Sequence, residues 1–172
     1  VSLLLTRQGL PVIDQEKYGS AEGLLSGAYI LQKADDPDVI LIATGSEVSL
    51  AMQAAQTLAK EDIKAQVVSM PSWELFEKTS KSYQKNVLPP QVKTRLVIEA
   101  GVSMGWERYA GDSGAVIGID RFGASAPGGR VMAEYGFDRL FYAFNAFRGA
   151  GLYDNPEDAL LLTNMPTDYV EA

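Results

Sequence analysis

The stretch VILIATGSEVSLA, residues 39–51, decides the fold. Its first five residues form an unbroken apolar run, the pattern of a parallel strand covered on both faces. Helical spacing takes over at once. Val48, Ala51, Met52, Ala55, Leu58 and Ala59 recur on one stripe, Ser46 stands where an N-cap belongs, and Glu47 suits the positive end of the helix dipole. A buried strand that turns through Thr44-Gly45-Ser46 into an amphipathic helix is half of a strand-helix-strand crossover.

Working outward, the same unit repeats. Short apolar runs bounded by Gly, Pro or Ser lie at residues 65–70, 95–100 and 115–119 and read as three more strands, with crossover helices expected within 72–87 and 104–109. Upstream, GAYILQ at 27–32 has the aromatic and β-branched content of a strand, and Ala34-Asp35-Asp36-Pro37-Asp38 marks a turn. Alternating strands and helices predict an α/β fold with a mostly parallel sheet and right-handed crossovers. Residues 8–23 lose periodicity and gather Gly9, Pro11, Asp14, Gly19 and Ser20, a linker-like composition that suggests a domain boundary. Residues 1–7 read as a strand that starts abruptly, so the chain is expected to be cut from a longer protein.

With 172 residues, 47% of them hydrophobic and 22% charged, the chain has the size and composition of one ordinary globular domain. Fifteen basic against 22 acidic residues give a formal charge of −7, which repels phosphate backbones and anionic membranes, so no nucleic-acid partner is expected. No apolar run is long enough to span a membrane. There is no cysteine and no histidine. This excludes thiol and imidazole nucleophile systems, thiolate or imidazole zinc sites and histidine-bound haem within the chain.

In parallel α/β sheets ligands gather beyond the carboxyl ends of the strands. The turn at Gly45 and Ser46 has two readings, a structural turn or an anion site made by free amides at a helix N-terminus. It lacks the glycine fingerprints of dinucleotide and P-loop sites. Glu99 and Asp120 end neighbouring strands and can be read as an acid-base pair, or as structural charges paired with Arg108 and Arg121. Trp73, Trp106 and Phe122 read as lids over the core rather than as a cofactor platform. No residue of the chain is assigned a catalytic or metal-binding role.

Seven strings, in order and spacing, carry a family resemblance: LLLTRQGLP at 3–11, GAYIL at 27–31, IATGSEVSLA at 42–51, VVSMPSWELFE at 67–77, VLPPQV at 87–92, EAGVSMGWERYAG at 99–111 and GIDRFGASAPG at 118–128. Together they resemble the C-terminal third of a transketolase of the bacterial and plastid type. The resemblance implies a three-layer α/β sandwich with a five-stranded sheet whose first, edge strand is antiparallel. It divides the chain into the end of a pyrimidine-binding domain (1–8), a linker (9–26), the C-terminal domain (27–148) and an atypical, partly disordered extension (149–172).

The resemblance further implies a parent enzyme that moves a two-carbon ketol unit from a ketose phosphate to an aldose phosphate. That enzyme would use thiamine diphosphate and Mg2+ or Ca2+, held by domains outside this chain, and would work as a homodimer in the cytoplasm or the plastid stroma. In the family the arginine of the LTRQ element binds the substrate phosphate, and it matches Arg7. Read without the resemblance, Arg7 is an exposed strand-end arginine in a salt bridge. The domain itself is expected to be structural, contributing a dimer contact and that single phosphate contact. The alternatives are a stand-alone small-ligand module using the crevice at Gly45 and Ser46, or a dimerisation module without a ligand. The resemblance ends near Phe137, where Phe137, Leu140, Phe141, Phe144 and Phe147 form an aromatic stripe at helical spacing, expected to dock on the domain. A further short helix, capped near Asn155 and Pro156, is expected to run to Leu162.

Overall fold

The computed structural model describes residue 6 and residues 8–137. Val1 to Leu5, Arg7 and the expected helices after Phe137 lie outside them. Five strands, β1 (Tyr29–Gln32), β2 (Val39–Ala43), β3 (Ala65–Ser69), β4 (Arg95–Ile98) and β5 (Ala115–Ile117), form one sheet in the order β1-β3-β2-β4-β5. β1 runs antiparallel to β3 at the edge, and every other pairing is parallel. The fold is the α/β sandwich that the sequence implies.

The layers follow from the two-residue period of β2, all of whose residues are buried. Val39, Leu41 and Ala43 face helix α1 (Glu47–Leu58) and pack with its Val48, Ala51, Ala55 and Leu58. Ile40 and Ile42 face the opposite layer, which holds α2 (Trp73–Lys78), α3 (Lys81–Val87) and α4 (Glu107–Ala110). Phe76, Val87, Trp106 and Tyr109 fill that side. Phe137, the first residue of the aromatic stripe, is buried in the α1-side core, and the rest of the stripe lies outside the described residues.

Residues 72–87 form two helices rather than one. Ser72 and Ser80 each start a helix, their hydroxyls accepting the amides of Leu75 and Tyr83 at 3.3 and 3.2 Å. Between them Thr79 is extended, and the Gln84 carboxamide donates to the carbonyls of Phe76, Glu77 and Thr79, closing the end of α2. A fifth helix, α5 (Gly128–Glu134), arises in a glycine- and alanine-rich stretch with no apolar period to announce it. Arg95 fixes the entry to β4, its guanidinium donating to the carbonyls of Val92, Pro89 and Tyr109 at 2.9–3.1 Å. Burial lowers its pKa below the ordinary arginine value.

Gly27 joins β1 to the α2 layer. Its carbonyl accepts the Ser72 amide at 2.9 Å, its φ is +77°, and a Cβ there would run into the Ser72 carbonyl oxygen and the Phe76 amide. Gly27→Ala is therefore expected to destabilise the chain by about 2 kcal/mol or more, combining left-handed strain with a backbone clash. Chemical denaturation monitored by tryptophan fluorescence measures this, and an unchanged midpoint would show that the junction tolerates a side chain.

Candidate functional site

β2 and β4 are neighbours, yet the chain leaves them in opposite directions, through α1 to β3 and through α4 to β5. Their carboxyl ends therefore flank a topological switch point, where open α/β sheets place ligands. Residues 44–47 line one side and residues 99–105 the other, brought level by the pairing of Ala43 with Ile98.

The two loops carry carboxylates. Glu47 is 4% exposed, and its Oε1 accepts the Ser46 hydroxyl at 2.7 Å. Ser46 has helical φ and ψ and makes no capping bond, which corrects its expected place as the side-chain N-cap. The hydroxyl facing the turn is thus engaged by Glu47. Across the switch point Glu99 Oε1 accepts the Gly101 amide at 3.0 Å. Burial raises the Glu99 pKa above the ordinary 4.5, the Glu47 charge adds to the rise, and the Gly101 amide opposes it. Neither carboxylate takes part in a salt bridge among the described residues. Gly45, at φ +57°, stands open with nothing near its Cβ position.

Glu99 and Asp120 do not act as a pair. Asp120 turns to Ser103, accepting its amide at 2.9 Å and its hydroxyl at 2.7 Å, and these bonds lower its pKa. The expected arginine partners go elsewhere too. Arg121 donates to the Glu134 carbonyl and lies over the Tyr135 ring, while Arg108 pairs with Glu77 at 2.7 Å. Arg108 also stacks on Trp73, 4.8 Å from the ring centroid, and the Tyr109 hydroxyl donates to Glu77 Oε1 at 3.0 Å. Burial, then the bond to Glu77, raises the Tyr109 pKa strongly. Trp73 and Trp106 meet edge to face at 4.8 Å over the core, so the tryptophans act as the expected lids. Phe122 does not, being 98% exposed.

Sequence reasoning missed Glu47 as a buried charge, because a glutamate in a first helical turn is ordinarily solvated. It missed the Glu77–Arg108–Tyr109 network because Glu77 of α2 and the Arg108–Tyr109 pair of α4 are some thirty residues apart in the chain. Arg7 lies outside the described residues. Among the described residues no group of three or more Asp or Glu could hold a metal, and no helix is long and apolar enough to cross a membrane. The switch point carries two carboxylates, and its 44–47 turn has one glycine and no phosphate-binding fingerprint, so it fits neither a diphosphate nor a divalent ion held by a full ligand set.

With this geometry in place, a family profile described as a transketolase-like C-terminal domain matches residues 27–138. A transketolase of Bacillus subtilis is 54% identical over 138 residues, covering 79% of this chain and 21% of the relative. One from Geobacillus stearothermophilus is 52% identical over the same span and coverage. The chain thus spans about a fifth of the length of these relatives. Among solved structures, a Pichia stipitis transketolase in complex with sedoheptulose 7-phosphate superposes with a TM-score of 0.77 at 36% identity, over 86% of this chain and 21% of that one. A split-gene transketolase in an inactive tetramer shares the fold, with a TM-score of 0.64 at 16% identity over 85% of this chain and 48% of that one.

The raised pKa of Glu99 has a definite sign. The folded state holds this proton more tightly than the unfolded chain, so its contribution to stability is fully present below the ordinary value of 4.5 and is lost as pH rises through the higher folded value. Glu99→Gln keeps a hydrogen-bonding oxygen for Gly101 and removes the charge. It is expected to raise the melting temperature at neutral pH by a few degrees and to flatten its fall above the ordinary carboxylate range. Thermal melts of both proteins across acidic and neutral pH measure the difference, and parallel curves would show that Glu99 is not the group responsible.

Proposed function

The chain belongs to the transketolase family, as its C-terminal domain, and on that footing we propose that it works within a longer enzyme that transfers a two-carbon ketol unit between sugar phosphates. The observation that carries this reading is the identity above 50% maintained over 138 residues with two bacterial transketolases. Thiamine diphosphate and a divalent metal are the cofactors of that longer enzyme, supplying the carbanion chemistry, and a homodimer is its working form. Neither cofactor is assigned to residues of this chain.

What the chain supplies is a rigid support and one contact. Arg7 immediately precedes the described stretch, in the LTRQ element whose arginine meets the substrate phosphate in the family. A guanidinium suits that task because it offers a planar fork of donors and stays charged at any working pH. The Gln8 amide donates to Thr6 Oγ1 at 3.2 Å. One such contact is worth about 1.5–3 kcal/mol, enough to tune substrate affinity but not to bind a sugar phosphate alone.

Two measurements test this reading. Calorimetric titration of the 172-residue chain with thiamine diphosphate and magnesium is expected to give no saturable heat; saturable binding would assign the cofactor to this chain. In the longer enzyme, Arg7→Ala is expected to raise KM for phosphorylated substrates about tenfold to a hundredfold, with unphosphorylated analogues much less affected. Equal losses for both substrate types would make the arginine structural.

A further inference from the structure

At the opposite end of the sheet from the switch point, the described residues enclose an open groove of about 720 Å3. It is lined by Lys17, Tyr18 and Gly19 of the entering segment, by residues 30–33 at the end of β1, and by Gln56 of α1. The antiparallel course of β1 explains the location, since Gln32 pairs with Val67 on the way to the amino end of β3.

Local geometry builds the groove. The pairing of β1 with β3 shifts register between Ile30 and Gln32, and the Leu31 carbonyl accepts the Gly19 amide at 2.7 Å. A Cβ on Gly19 would run into the Ile30 carbonyl oxygen, so a glycine is needed for the entering segment to lie this close. That bond holds Lys17 and Tyr18 beside the edge strand, opposite the side chains leaving β1.

The lining has an unusual chemistry for this protein. The chain carries a charge of −7, yet the groove is lined by two lysines and by no aspartate or glutamate. Lys17 lies 5.3 Å from the centroid of the Tyr18 ring and makes no ion pair among the described residues. Lys33 is 3.2 Å from Asp35, but the side chains are 74% and 91% exposed, so this pair is weak and opens readily. The carboxamides of Gln32 and Gln56 add neutral donors. Two ammonium groups and two amides beside an aromatic ring suit an anion with an organic body, and the volume falls within the usual range for small-ligand sites.

We propose that this groove binds a phosphorylated small molecule, its phosphate between the ammonium groups of Lys17 and Lys33 and its body against the Tyr18 ring. The proposal does not rest on the transfer reaction assigned to the longer enzyme. Phenyl phosphate is the probe, titrated into the 172-residue chain while backbone amide NMR shifts are followed at low salt. Saturable shifts are expected at residues 17–19 and 31–33, weakening as salt is added. The double variant Lys17→Ala, Lys33→Ala is expected to weaken binding about tenfold or more, and Asp35→Asn, which frees Lys33, to tighten it about twofold. Lys85→Ala, in α3 and outside the groove, is expected to leave the affinity unchanged. The proposal is overturned if these amides show no saturable shift, if the double variant binds as well as the parent, or if Lys85→Ala costs as much as the double variant.

Discussion

β2 is the constraint on which the rest of the structure depends. All five of its residues are buried and it pairs on both edges, with β3 and with β4. A strand in that position cannot carry a polar side chain cheaply on either face, so its sequence must be apolar throughout rather than alternating. The alternation survives only as a choice of layer. Leu41 goes to α1, while Ile40 and Ile42 go to the aromatic layer. Because both cores meet on the same five residues, a one-residue slip of β2 would exchange the two sets, and neither layer could accept the other's shapes.

The same strand creates the tension at the carboxyl edge. Its parallel neighbours end at one level, so the first turn of α1 and the exit of β4 converge, and both bring a glutamate. Glu47 has the Ser46 hydroxyl and Glu99 the Gly101 amide, and these single donors are modest compensation for two carboxylates near one another with no salt-bridge partner among the described residues. Asp120 shows the contrast. It receives two donors from Ser103, stays exposed, and its pKa moves down while that of Glu99 moves up. The direction of each shift follows from how many donors arrive and how much water leaves.

How much of this was legible in the sequence depended on whether the determining contact was local. VILIA at 39–43 announced a doubly covered strand because burial on both faces leaves a mark that needs no partner to be read. The break at Thr79 and Ser80 left a weaker mark, a hydroxyl pair inside an otherwise helical pattern, and the bonds from Gln84 that close α2 join residues too far apart to suggest themselves. The antiparallel direction of β1 had no local signature at all: GAYILQ looks the same in either direction, and that feature came from the family resemblance. Glu99 and Asp120 looked equivalent as strand-end acids. What separates them is Ser103, brought beside Asp120 by a loop whose path depends on the packing of Trp106 and Tyr109.

The charge balance illustrates a different limit. A formal charge of −7 describes the field at distances beyond the screening length, where the contributions of all groups have merged. Within that length, which is about 8 Å at physiological salt, the sign is set by the few groups actually present. At the switch point those groups are Glu47 and Glu99, and the local field agrees with the global one. Along β1 the groove lining holds Lys17 and Lys33 and no carboxylate, with Asp35 just outside it at 3.2 Å from Lys33, so the local balance departs from the global one. Glycine at position 19 is therefore an electrostatic determinant although it carries no charge: it permits the backbone approach that sets Lys17 beside the edge strand. A composition argument about extended polyanions such as nucleic acid concerns that outer field, which they must cross. It does not extend to a single small anion, which needs only the space between two ammonium groups.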